Sequence, residues 1–346
     1  MEQRHVKGSG LILPAMTLGT ATFAGSTELF KKWGTTKTNE AIALLETCLD
    51  YGCNSFDTAD CYSCGDSEIV LGEALKAMKL DREKVYISSK TGMYMGEGPN
   101  EFGTSRYKIL QSIDASLKRL QTDYIDLYYL HCYDALTPHL EVLQTLNELV
   151  RIGKIRYFGV SNYSGWHLMK MLSVADRYNL SRPIAHQAYY SLAAREYEFE
   201  LMPLALEENI STMPWSPLSG AYLSGKITRT KIDSKDSRLS SGGAWDIDKE
   251  HLFNITDALE IVTKESGYTM AQVALAWNLS RPTVTSLIIG ATKPTQLKEN
   301  LKASEIKLDS KHIELLDKAS QLKPIYPYWH QRFANLVRDP SPVKLY

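Results

Sequence analysis

An excess of positive charge is missing from this sequence. Lysine and arginine number 39 and aspartate and glutamate 40 over 346 residues, a net charge of −1. Affinity for nucleic acid rests on clustered cations along the phosphate backbone, so no nucleic-acid partner is expected, although a small anionic ligand is compatible. Long apolar runs are also missing. None reaches the roughly 18 residues that cross a bilayer, so no membrane span is expected. The first seven residues carry charge with no apolar stretch behind them, and we expect no secretory leader. The five cysteines are an odd number and too sparse for a disulfide scaffold, which fits a reducing, cytoplasmic setting. No Gly-x-Gly-x-x-Gly follows the first apolar strand, the glycine-rich stretch 92–103 has the wrong spacing, and there is no Walker A loop. The dinucleotide fingerprint of an open doubly wound sheet is therefore absent.

What is present is an alternation of short β-like runs and helical patterns. Hydrophobic residues at 44% and charged residues at 23% suit a globular chain. Residues 6–14, centred on Gly8-Ser9-Gly10, read as a small hairpin. Strands are expected at 15–19, 54–57, 85–90, 124–130, 155–160, 184–187, 211–215 and 286–289. Helices are expected at 39–51, 67–78, 104–120, 140–152, 166–178, 201–208, 255–266, 270–278, 295–303 and 311–321. The pattern at 104–120 is clearest, with Ile109, Ile113, Leu117 and Leu120 on one side. The run 124–130 is too continuously apolar for a one-sided sheet and matches a parallel strand buried on both faces. Eight strand–helix units close most naturally into a (β/α)8 barrel, in which chains of well over 200 residues form one unit. We expect a single domain over 1–346, with a long loop at 217–250 and a C-terminal extension, 323–346, over the barrel mouth. The extension carries Tyr326, Tyr328, Trp329 and Phe333, too aromatic a set to float free.

Active groups of such barrels gather at the carboxyl ends of the strands. Here those ends are polar: Asp57, Lys90, His131, Ser161-Asn162, Gln187, Trp215-Ser216 and Gly290. Adjacent strand ends are spatial neighbours, so Asp57, Lys90 and His131 should share a cavity, with Tyr62 five residues beyond Asp57. A free phenol titrates near ~10. A buried ammonium beside it should pull that value down, with Asp57 keeping Lys90 charged. Lowering it by about three decades takes roughly 4 kcal/mol, which one close desolvated ammonium supplies in large part. His131 would hydrogen-bond and polarise a carbonyl, and the set would act as a general acid for carbonyl reduction.

The strings Phe56-Asp57-Thr58-Ala59-Asp60-Cys61-Tyr62, Ser88-Ser89-Lys90, Leu130-His131 and Gly159-Val160-Ser161-Asn162 resemble the aldo-keto reductase family. So do Trp215-Ser216-Pro217-Leu218-x-Gly220 with Gly225-Lys226, and the segment from Gly290 to Asn300. The resemblance runs in order from about Leu18 to Leu301, and is nearest to the branch holding bacterial and fungal aldehyde or sugar reductases and potassium-channel β-subunits. It implies a (β/α)8 barrel that uses NADPH/NADP+ without a Rossmann fold. It implies Asp57, Tyr62, Lys90 and His131 as the catalytic tetrad, with Tyr62 as acid–base. Ser161, Asn162 and Gln187 match the set that binds the nicotinamide carboxamide, and Asp57 borders the same ring. The Trp215 segment takes the region where a ring stacks on the nicotinamide, and the stacking partner stays open. Ser216, Pro217, Leu218, Gly220 and Lys226 match the pyrophosphate loop, with Arg238 further along it. Gly290, Thr292, Gln296, Glu299 and Asn300 match the adenosine pocket. Lys293 would face the 2′-phosphate and favour NADPH over NADH. Thr20 and Ala21 sit where the first loop meets cofactor.

The expected activity is NADPH-dependent reduction of an aldehyde or ketone, sugar-like or aromatic, to the alcohol. The alternative is a cofactor-binding regulatory subunit like the channel-associated relatives, which tend to carry Asn at the position of His131. A barrel hydrolase would need paired carboxylates or a metal constellation, and neither appears at the strand ends. Cys61 and Cys64 have Cys-x-x-Cys spacing but no second ligand pair for zinc, so no metal is expected. His139, His167, His186, His251 and His312 read as surface or helix residues without a role. Tyr133, Trp245 and the tail aromatics are candidates for the substrate side of the mouth. A small carbonyl compound is the expected partner, and a homo-oligomer is left open.

Overall fold

The computed structural model describes residues 1–232 and 247–338. Strand β1 (Gln3–His5) pairs antiparallel with β2 (Ile12–Pro14), so the hairpin starts three residues earlier than its Gly8-Ser9-Gly10 centre suggests. After it come β3 (Met16–Gly19), a four-residue helix α1 (Glu28–Lys31), α2 (Thr38–Asp50), β4 (Ser55–Asp57), α3 (Asp66–Ala77) and β5 (Tyr86–Thr91). They are followed by α4 (Arg106–Leu120), β6 (Ile125–Leu130), α5 (His139–Arg151), β7 (Ile155–Ser161), α6 (Gly165–Arg177) and β8 (Ala185–Tyr189). Then come α7 (Leu201–Glu207), β9 (Ser211–Trp215) and a short antiparallel ribbon of β10 (Ile227–Thr228) and β11 (Lys231–Ile232). The described chain ends with α8 (Lys249–Ser266), α9 (Met270–Leu279), β12 (Leu287–Ile289), α10 (Pro294–Leu301), α11 (Ser310–Ala319) and α12 (Tyr328–Arg338).

Eight strands close into an all-parallel barrel in the order β12-β3-β4-β5-β6-β7-β8-β9. This is the expected (β/α)8 architecture, and its helices form an outer ring. Their ends follow local chemistry. Ser105 caps α4 by accepting from the Lys108 N–H, and Thr269 with Gln272 forms a reciprocal capping box on α9. Gly267 ends α8 in the left-handed region. The inward stripe of α4, Ile109, Ile113 and Leu120, is buried against the barrel wall. Every residue of β6 is buried. Its one charged member, Asp126, is tolerated because Arg82 donates to it at 2.6 Å and the Ile87 N–H at 2.9 Å.

The hairpin shuts the amino end of the barrel. Val6 and Leu13 pack with Leu127, Tyr129, Ala185 and Met213 in a second apolar cluster. Arg4 donates to the carbonyls of Leu279 and Val284, and the Lys7 N–H donates to the Ser211 hydroxyl at 2.8 Å. Above this plug lies a layer of hydroxyls, with Thr17 bonded to Ser286 at 2.8 Å and to Ser55 at 3.0 Å. The tail enters α12 with Tyr328 stacked on Phe199, rings 5.3 Å apart, just ahead of α7. That contact lies on the outer rim of the end where the strands finish, because α7 begins there. Among the described residues, no helix is long and apolar enough to cross a membrane.

One expectation is corrected. His186 is neither surface nor helical. It lies within β8, fully buried, and its Nε2 accepts from the Tyr163 N–H at 3.3 Å. Burial pushes this imidazole down to about 3, so it is a neutral packing residue. The outward face of a barrel strand is covered by helices, so alternation in β8 moves a side chain from one interior to another. His312 is on a helix, α11, but is also buried and meets Glu265 at 3.1 Å.

Candidate active site

Strand registry assembles the site. Asp57 is the last residue of β4 and lies level with Ser88 of β5, while Lys90 comes two residues later on the same face. The Lys90 ammonium is fully buried. It donates to Asp57 Oδ2 at 2.6 Å, to the Thr58 carbonyl at 2.7 Å and to the Tyr62 hydroxyl at 3.2 Å. All three of its protons are thereby directed. The other carboxylate oxygen of Asp57 accepts from Ser88 Oγ at 2.7 Å and from Gln187 Nε2 at 3.0 Å. A buried ion pair with every polar atom occupied is held rigidly in one geometry.

Tyr62 is delivered by a tight turn. The chain runs on beside β5 after β4, with the Thr58 N–H donating to the Ser88 carbonyl and the Asp60 N–H to that of Lys90. It then folds back through Ser63 and Cys64, both left-handed at φ 51° and 55°, into α3. Such backbone is strained for these residues and persists where surroundings fix it. Here Ser63 Oγ donates to the Phe23 carbonyl and accepts from the Gly25 N–H, tying the turn to the first mouth loop. That loop also sets Phe30 beside Tyr62, ring centres 5.6 Å apart. His131 follows β6. Its N–H donates to the Thr91 carbonyl at 2.7 Å, and its ring stands edge-on to Tyr62 at 5.7 Å. Asp57 and Lys90 are sealed below, while Tyr62 and His131 are half-buried above them and face the open end.

The electrostatics reverse one expectation. Tyr62 is not drawn below the range of a free phenol but pushed up to about 12. Burial is the largest cause, and the opposing pull of Lys90 is offset by Asp57. Counting the ammonium alone omitted both the loss of water and the counterion. Lys90 itself is disfavoured by burial, yet Asp57 and the Tyr62 phenol outweigh this and hold it above its ordinary value. His131 is driven well below its ordinary value, first by burial and then by the Lys90 charge. At neutral pH the open layer therefore holds a protonated phenol and an uncharged imidazole over a charged pair.

Most of the remaining candidate residues sit on the other half of the barrel, at the ends of β7, β8, β9 and β12, while Thr20 and Ala21 follow β3 and Tyr133 follows β6. Ser161 and Gln187 are buried. Asn162 is left-handed at φ 57°. Its Nδ2 donates to the His131 carbonyl at 3.0 Å, and its Oδ1 accepts from Trp215 Nε1 at 3.1 Å. Trp215 also stacks on Tyr189 at 4.9 Å. Ser216 is left-handed, and its Oγ accepts from the Gly220 N–H at 3.0 Å. Pro217 is buried, Leu218 half-buried and Lys226 exposed. Gly290, Thr292, Lys293 and Gln296 are exposed at the start of α10, while Asn300 is buried within it. Lys293 takes the cap position with no side-chain cap, and Pro294 follows, which leaves the helix start open to an anion. Glu299 binds Lys302 at 2.7 Å and Gln272 through both side chain and carbonyl. Thr20 is fully buried with its hydroxyl on Ser67 at 2.8 Å, and Ala21 beside it is half-buried. Arg238 and Trp245 lie outside the described residues. Tyr133 stacks on His167 at 3.5 Å on the rim.

Three contacts escaped the sequence reading. Ser88 as a ligand of Asp57 had a signal, its position two residues before Lys90. Phe30 had none, since it is brought in by a long loop. Cys61, considered from its spacing only as a zinc ligand, places its sulfur 3.5 Å from His131 Nδ1. Among the described residues no cluster of three or more His, Cys, Asp or Glu is arranged for a metal ion.

The sequence model of the Aldo/keto reductase family matches residues 15–321. The chain is 34% identical to a probable voltage-gated potassium channel subunit beta of Arabidopsis thaliana, over 88% of this chain and 92% of that protein. It is 34% identical to the uncharacterized oxidoreductase YrpG of Bacillus subtilis, over 92% and 95%. It is 33% identical to versiconal hemiacetal acetate reductase of Aspergillus parasiticus, over 94% and 99%. With that match spanning nearly the whole barrel, the chain belongs to the aldo/keto reductase family, a family of oxidoreductases.

Proposed function

We propose that the protein reduces an aldehyde or ketone to the alcohol with NADPH, using Tyr62 as general acid. The observation that carries this reading is the Tyr62 hydroxyl, facing the open end of the barrel, 3.2 Å from the fully buried Lys90 ammonium. The opposite half of the mouth suits a dinucleotide. Its amide side chains at Asn162 and Gln187, the broad face of Trp215 and the uncapped start of α10 match a carboxamide, a flat ring and a phosphate in turn. Lys293 at that helix start supports the 2′-phosphate form, NADPH over NADH. The bound nicotinamide would supply hydride to the carbonyl carbon.

The chain's own groups then act on the carbonyl oxygen. The uncharged His131 donates a hydrogen bond to it and fixes its direction. Tyr62 passes its proton to the oxygen as negative charge grows there. The phenolate left behind is held by Lys90, whose charge is preserved by Asp57. Burial makes Tyr62 a weak acid at rest, but the ammonium becomes worth more as phenolate develops, so the stabilisation falls on the transition state. Phe30 beside Tyr62 supports an aromatic or other carbon-rich carbonyl among the expected substrates. The loop 217–250 and the tail from 323 belong to substrate choice in this reading, on one domain in a cytoplasmic setting.

A regulatory, cofactor-holding subunit is the second reading, favoured by the likeness to potassium channel β-subunits. His131 separates the two, because an uncharged imidazole facing the mouth has a use in turnover. The test is NADPH oxidation with a panel of aldehydes and ketones. Replacing Tyr62→Phe should lower kcat by about 10²–10⁴-fold while NADPH binding, read by fluorescence, stays within twofold. Full turnover in that variant refutes the mechanism. A wild type inert on every carbonyl would move the protein to the second reading.

A further inference from the structure

The contact between Cys61 and His131 bears on which imidazole nitrogen carries the proton. The backbone of His131 is pinned on both sides, its N–H on the Thr91 carbonyl at 2.7 Å and its carbonyl on Asn162 Nδ2 at 3.0 Å. The ring stands edge-on to Tyr62. The tautomer of the ring is set by the hydrogen bond made at one of its nitrogens. A neutral imidazole has one N–H, and only a nitrogen that bears it donates to a carbonyl. Cys61 Sγ is 3.5 Å from Nδ1, within the reach of a sulfur hydrogen bond.

We propose that Cys61 is a positioning residue: its S–H donates to Nδ1 of His131 and thereby holds the ring as the Nε2–H tautomer, with the donor turned to the substrate. The direction follows from the chemistry of the pair. An imidazole nitrogen is a good acceptor and a thiol sulfur a poor one, so S–H to N is favoured over N–H to S. Burial supports the assignment by keeping both partners uncharged, raising the thiol and lowering the imidazole. Cys61 lies next to Tyr62 in sequence, so one turn sets both the acid and the tautomer of its neighbour. The inference rests on the proposed carbonyl reduction for its purpose, though not for its geometry.

The experiment is nitrogen NMR of the full chain labelled with ¹⁵N-histidine, with the His131 signals assigned by loss in His131→Gln. In the wild type the protonated ring nitrogen should be Nε2. In Cys61→Val, close in size and without a donor, that preference should be lost, and kcat should fall roughly tenfold with KM for NADPH unchanged. Cys61→Ser, which keeps a donor, should recover the Nε2–H spectrum and most of kcat. A wild-type spectrum with the proton on Nδ1 overturns the proposal, as does a Cys61→Val protein whose spectrum and kcat match the wild type. The spectrum needs no turnover. An Nε2–H signal that Cys61→Val abolishes supports the tautomer assignment even in a protein inert on carbonyls, a result that instead counts against the reductase reading.

Discussion

Replacing Lys90→Met separates the two duties of the buried ammonium. At 3.2 Å from the Tyr62 oxygen, with an effective dielectric of about 20, the ammonium is worth about 5 kcal/mol to a full phenolate. The proton is only partly transferred at the transition state, so roughly half to four-fifths of that is lost. This corresponds to a fall in kcat of about 10²–10³-fold. The same change strands the Asp57 carboxylate, 1% exposed, with Ser88 and Gln187 as its side-chain donors among the described residues. Removing one partner of a buried pair costs about 3–5 kcal/mol in stability. Denaturant unfolding followed by tryptophan fluorescence, beside NADPH-linked turnover, reads both effects. The double variant Asp57→Asn with Lys90→Met should regain most of the stability and none of the activity. A folded Lys90→Met enzyme within threefold of wild-type kcat would refute the reasoning, since the ammonium would then contribute nothing to proton transfer.

Two further outcomes concern the scaffold. Asp60 is buried, and burial, helped by the nearby Glu68 charge, pushes its carboxyl up from 3.8 to about 7. The folded protein thus holds a proton that the unfolded chain releases, so this group's contribution is fully present below about pH 4 and is lost as pH rises to about 7. Asp60→Asn should remove that slope in a series of unfolding curves from pH 4 to 8, and an unchanged slope counts against the assignment. Gly72→Ala places a methyl inside α3, where helix propensity alone predicts a gain of ~1 kcal/mol. The added carbon would lie 2.7–2.8 Å from backbone atoms of Arg119 and Leu120, so a loss of roughly 1–3 kcal/mol in unfolding free energy is expected instead.

The sequence made the barrel readable because its strands are short, apolar and separated by helices with clear stripes and caps. The strand ends were equally readable, since polar residues closing an apolar run stand out. Asp57, Lys90 and His131 thus group together on the sequence alone. Elements without periodicity were not readable. Helix α1 has one turn, β10 and β11 have two residues each, and α12 lies in a stretch whose prolines and aromatics mask its helical spacing. The site's geometry was legible in membership and illegible in sign. Tyr62 beside Lys90 suggested an acidified phenol, whereas the depth of burial and the nearness of Asp57 depend on tertiary packing. His186 lies within the strand expected at 184–187, and a parallel barrel strand is covered on both faces, so its place in the interior was implied by the fold and the surface reading was inconsistent with it.

The plug made by the first hairpin turns the barrel into a cul-de-sac. With Val6 and Leu13 packed on Leu127, Tyr129, Ala185 and Met213, side chains fill the amino end, and among the described residues Tyr62 and His131 are approached from the opposite end, where the strands finish.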